Sequence, residues 1–98
     1  MNELTPPPLT KDNPTAVELA RVWIVDNALQ CSLNIGGFGE EELTTWGILL
    51  SDLARHVADA HQQLSGANAA ESLKAIATSF NLEMTAPAAP TSGGMTEQ

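Results

Sequence analysis

This chain has almost nothing with which to bind a polyanion. Only Lys11, Arg21, Arg55 and Lys74 are permanently positive, against twelve acidic residues, for a formal net charge of -8. Neutralising phosphates needs a basic face, so no nucleic-acid partner is expected. Attraction to an anionic membrane surface fails for the same reason. Cys31 is the single cysteine. An intramolecular disulfide is impossible, which fits a reducing compartment. No apolar run approaches the length of a membrane span. The opening MNELTPPPLTKDNP has neither a charged n-region nor an apolar h-region, so no signal peptide is expected. A cytoplasmic protein is the default reading.

Length is scarce too. A chain of 98 residues is one domain. Residues 1–15 hold Pro6, Pro7, Pro8 and Pro14 and read as an extended arm, laid across the domain by Leu4 and Leu9. Residues 85–98 have no periodicity and read as a disordered tail. The remaining domain, 16–84, can build only a marginal core and has no disulfide to support it. Dimerisation is the expected remedy.

What the sequence does have is one long periodic stretch. In Glu41–Ser65, Leu43, Trp46, Leu50, Leu53, Val57, Ala60 and Leu64 recur in steps of three and four, the spacing of one helix face. At about 100° per residue all seven lie within roughly 60° of Trp46. Acidic residues precede the first turn, and Gly66 follows the last residue as a left-handed stop. Gly47, Ser51, Ala54 and Ala58 form a strip of small side chains beside the stripe. That strip is suited to close approach of a second helix or a second subunit. Ile48 points to the polar side and joins the strip as a candidate dimer-interface residue.

Ahead of this helix, Val17–Val25 is rich in β-branched residues and reads as a strand from Glu18. Asp26-Asn27-Ala28 is a turn signal. Leu29–Ile35 alternates cleanly, with Leu29, Cys31, Leu33 and Ile35 on the inward face. The two strands form a hairpin. Gly36-Gly37-Phe38-Gly39 links hairpin to helix. A glycine-rich loop opening a helix can cradle an anion, but the acids that follow would repel a phosphate, and a tight connection over Phe38 is the plainer reading. Asn68 and Glu71 have capping-box spacing. They open a second helix along Ala69, Leu73, Ile76, Ala77, Phe80 and Met84.

The expected fold is therefore α+β: an antiparallel β-hairpin, then a long and a shorter α-helix, ββαα. Two copies pairing their hairpins edge to edge would make a two-layer dimer with a combined sheet.

The segments Ala20-Arg21-Val22-Trp23, Trp46-Gly47 and Asp52-Leu53-Ala54-Arg55-His56-Val57-Ala58 resemble a family of short bacterial proteins classed as a domain of unknown function. The likeness runs from about Pro14 to Leu82, and DLARHVA is its most specific part. It implies a small α+β domain and supplies no activity, cofactor or catalytic residue. The alanine- and glycine-rich tail departs from the family pattern, which implies that the tail is dispensable.

Three groups of residues could carry chemistry. Asp52, His56 and Asp59 share one helix flank at metal-ligand spacing, although Arg55 beside them disfavours a cation and a solvated face is the simpler reading. Trp23 and Trp46 should form the joint between hairpin and long helix, and would line a ligand pocket if one exists. Arg21 sits in an apolar strand, and is expected to pair with a carboxylate or, on an open sheet face, to contact a partner. No cofactor is implied, and no residue set reads as catalytic. The functional expectation is a non-enzymatic homodimeric protein-interaction module. A small-ligand-binding protein with a pocket between sheet and long helix comes second, and a metal-dependent enzyme third.

Overall fold

Asp26 and Asn27 turn the chain back on itself. Both have positive φ, 52° and 65°, the pair a two-residue hairpin turn requires and one that Asp and Asn tolerate best after glycine. The turn joins β1 (Ala20–Val25) to β2 (Ala28–Leu33) as an antiparallel pair. Beyond the far end, the Asn34 N–H donates to the Leu19 carbonyl at 2.9 Å and its Nδ2 donates to that of Glu18 at 3.3 Å. Those bonds extend the pairing past the strands proper. The structure is a computed structural model that describes residues 3–86 and, for their backbone alone, 95–97.

The register decides which side chains share a face. Ala20 lies opposite Leu33, Val22 opposite Cys31 and Ile24 opposite Leu29. Partners in an antiparallel pair point to the same side, so this face is apolar throughout. The other face pairs Arg21 with Ser32, Trp23 with Gln30 and Val25 with Ala28. Trp23 thus stands on the mixed face, away from the apolar one.

A third strand, β3 (Met95–Glu97), runs parallel to β2, with Cys31 beside Met95 and Leu33 beside Glu97. The sheet order is β1-β2-β3. The tail, read as structureless from residue 85, therefore supplies a strand. It meets the N–H and C=O groups that the outer edge of β2 would otherwise present unpaired. Residues 87–94 of that tail lie outside the described residues.

The helices follow the sequence closely. α1 spans Glu42–Ser65 and ends on Gly66, at φ 78°, whose N–H donates to the Gln62 carbonyl at 2.8 Å. α2 spans Ala69–Thr85. The Asn68 side chain caps it, accepting the Glu71 N–H at 3.0 Å. α2 folds back along α1. Ala58, at 2% exposure, is the one buried residue among those described. Its small side chain lets the two helices approach, and Ala54 beside it is half-buried.

Sheet and helices do not close on each other. No Cα of β1 or β2 comes within 8 Å of one in α1 or α2. Ile24 on the hairpin is 76% exposed, and Leu43 and Leu64 at the ends of the α1 stripe are 84% and 89% exposed. The expected Trp23–Trp46 joint is absent within the chain, because the hairpin that carries Trp23 does not reach α1. The N-terminal arm also differs from expectation. Pro8–Thr10 forms a 3-10 turn, and Leu4 and Leu9 are 92% and 87% exposed instead of packed.

Candidate functional site

Between sheet and helix, one carboxylate gathers three N–H donors. Glu42 opens α1, and its carboxylate turns back over the glycine-rich segment. Oε2 accepts the Gly36 N–H at 3.0 Å and the Trp46 indole N–H at 2.7 Å. Oε1 accepts the Phe38 N–H at 2.8 Å. The Phe38 and Trp46 rings meet edge to face, centroids 6.2 Å apart at 78°. The loop amides do gather an anion, and it is the chain's own carboxylate. The bond from Gly36, then that from Phe38, then that from Trp46, hold the Glu42 pKa below the ordinary glutamate value against the opposing effect of desolvation. Sequence reading treated the acids after the loop as repellent to a ligand and missed that one of them is the loop's own ligand. The available signal was an acid at the first helical position, four residues before a tryptophan.

Arg21 pairs with carboxylates, as its place in the strand suggests. Nε donates to Glu18 at 2.9 Å, and a terminal guanidinium nitrogen donates to Glu3 at 3.0 Å. Glu18 first, and Glu3 after it, raise its pKa further. The Glu3 bond ties the N-terminal arm to β1. Arg21 and Trp23 share the mixed sheet face, while Trp46 is engaged with Phe38 and Glu42. These three residues therefore do not gather round one ligand. The open hollows on α2, lined by Ala75, Ile76, Ser79 and Phe80 and by Glu71, Lys74, Thr78 and Leu82, touch neither tryptophan.

The charged flank of α1 is a solvated surface. His56 is 73% exposed; its Nδ1–H donates to the Asp52 carbonyl at 2.8 Å, and the Asp52 carboxylate stands 4.0 Å away. The carbonyl can only accept, which places the proton on Nδ1. Asp59 is exposed farther along. Arg55 donates to the Ser51 hydroxyl at 3.3 Å. Among the described residues no group of three or more His, Cys, Asp or Glu side chains converges as a metal site would require. No helix among them is long and apolar enough to cross a membrane.

The small-residue strip divides. Ala58 is buried and Ala54 half-buried within the chain. Gly47, Ile48 and Ser51 stay open, with nothing within 4 Å of the place a Gly47 Cβ would occupy. The larger open surface is apolar and falls on two elements. On the hairpin it is Val22, Ile24 and Leu29; on α1 it is Leu50, Leu53 and Val57, flanked by Leu43 and Leu64.

Residues 3–88 match the family described as a domain of unknown function, DUF5076. A solved structure from the photosynthetic bacterium Rhodopseudomonas palustrus CGA009, provisionally named a pyruvate dehydrogenase, is similar at 27% identity with a TM-score of 0.69. The likeness covers 98% of this chain and 96% of that one. No curated protein matches the chain.

Proposed function

The chain belongs to the DUF5076 family, and on that premise we propose that it is a homodimeric protein-interaction module with no catalytic centre of its own. The observation that carries this reading is the pair of uncovered apolar faces on the hairpin and α1. Monomeric proteins seldom leave contiguous apolar patches of more than a few hundred Å² open.

The name of the Rhodopseudomonas protein adds no support to a catalytic reading here. Its chemistry would need convergent polar groups, and those gathered in the Glu42 loop and round Arg21 bond to one another. A ligand pocket between sheet and α1 of one chain lacks walls, since those elements do not meet. Light scattering on the purified chain at tens of micromolar tests the reading. It predicts a mass twice 10.3 kDa; a clean monomer removes the reading.

A further inference from the structure

We infer that the open apolar face of each hairpin is covered by the α1 stripe of a second copy, so that two chains exchange hairpins reciprocally and each completes the other's core. The inference rests on the dimer reading above and specifies its geometry.

Complementarity is the first ground. The hairpin face carries three apolar cross-strand pairs, Ala20–Leu33, Val22–Cys31 and Ile24–Leu29. Six residues of strand span about 20 Å. The α1 stripe from Trp46 to Val57 spans about 17 Å and continues to Leu64. A strand pair laid on a helix stripe of similar length is the ordinary two-layer α/β contact. One chain contains one of each, and two chains related by a two-fold axis make the contact twice.

The loop supplies the second ground. Within one chain the two faces cannot meet while the connection keeps its observed shape. Gly36 and Gly39 hold positive φ, 101° and 66°, and Glu42 ties Gly36 and Phe38 to the start of α1. This bonded hinge holds the hairpin away from its own helix. Hinges held in such a state favour exchange of an element between identical chains.

Charge is the third. Two chains of net charge -8 repel wherever acidic surfaces meet. Neither the six hairpin residues nor Trp46, Leu50, Leu53, Val57 and Leu64 carry charge. These faces are therefore where a second copy can bury area without juxtaposing acids. Joining hairpins edge to edge would leave both apolar faces uncovered, and the outer edge of β2 is already taken by β3.

Complementation between two variants tests the exchange. Val22 and Leu53 are each 58% exposed within the chain, so Val22→Asp and Leu53→Asp place their charges mainly on the open faces. Each variant alone is expected to lose at least tenfold of its dimer fraction. An equimolar mixture, unfolded and refolded together, is expected to regain dimer, since a sound hairpin from one chain meets a sound helix from the other. If the wild type dimerises but the mixture stays monomeric, the exchange is wrong and the dimer reading survives. A monomeric wild type overturns both. A second readout uses Cys31 on the hairpin face with Leu50→Cys, Leu53→Cys or Val57→Cys. Oxidation is expected to give a covalent dimer in at least one of the three, needing both cysteines and lost on Cys31→Ser. A disulfide closed within one chain, or none in any of the three in a dimeric protein, overturns the exchange.

Discussion

Glu42 and Trp46 are one helical turn apart and joined at 2.7 Å by an indole N–H to carboxylate bond. The same carboxylate takes the amides of Gly36 and Phe38. A single side chain thus fixes the start of α1, the ring pair Phe38–Trp46 and the bend that carries the hairpin. The relationship matters because it sets where the hairpin can go.

Replacing Glu42 by Gln removes the ionised acceptor and leaves two loop amides competing for a neutral one. Charge-assisted bonds are about twice as strong as neutral ones, so a lower Tm is expected at neutral pH. The pH dependence has a definite sign. A carboxyl whose folded pKa is depressed contributes stability that is present above its unfolded value, about 4.3. That contribution is lost as pH falls through the lower folded value. Thermal unfolding of wild type and Glu42→Gln between pH 3 and pH 7 checks this. The Tm gap should be widest near neutrality and shrink below about pH 4; a gap independent of pH would rule out the charge as the cause.

Asn68 caps α2 through its side-chain oxygen on the Glu71 N–H at 3.0 Å. Asn68→Ala should cost about 1 kcal/mol, measured by denaturant unfolding. Asn68→Ser should recover most of that loss, because Ser supplies the same acceptor.

Ala58 and Gly47 lie on the same small-residue strip, and their predicted responses are opposite. Ala58→Leu forces a larger side chain between α1 and α2 and should cost roughly 1–3 kcal/mol. Gly47→Ala removes a flexible residue from a helix interior, with open space for the new Cβ. It should stabilise by about 0.5–1 kcal/mol. Destabilisation at Gly47 would mean that another backbone reaches it, as the strip's candidacy for an interface supposes.

Arg21 holds the N-terminal arm through Glu3. Exposed ion pairs contribute little to global stability, so Arg21→Ala should leave the Tm nearly unchanged. Cleavage within residues 1–15 should nevertheless quicken in limited proteolysis, since Leu4 and Leu9 do not anchor the arm.

The hairpin, its Asp26-Asn27 turn, both helices and the Asn68 and Gly66 caps were all legible in the sequence, because each rests on local chemistry. The face of β1 was harder. Val22, Trp23, Ile24 and Val25 are apolar in succession, so alternation cannot choose between them. Their partners choose: Leu29, Cys31 and Leu33 alternate cleanly, and a two-residue turn sets Ile24 against Leu29. Trp23 was read as half of the joint between hairpin and long helix, and the register puts it opposite Gln30. β3 could not be read at all, since three residues have no period. The separation of hairpin from helices was illegible because it depends on side-chain bonds across a glycine loop. The Asp52, His56 and Asp59 flank had the right spacing for a metal, but spacing on one helix does not bring in a further ligand from another element.

If a second copy completes the core, folding and association are one transition. The most direct test is the concentration dependence of thermal unfolding in the wild-type chain, measured from about 1 to 100 µM. For such a dimer each tenfold rise in concentration adds about 1.4 kcal/mol of apparent stability per dimer, so the Tm should climb steadily. A Tm that stays constant across that range would contradict the account.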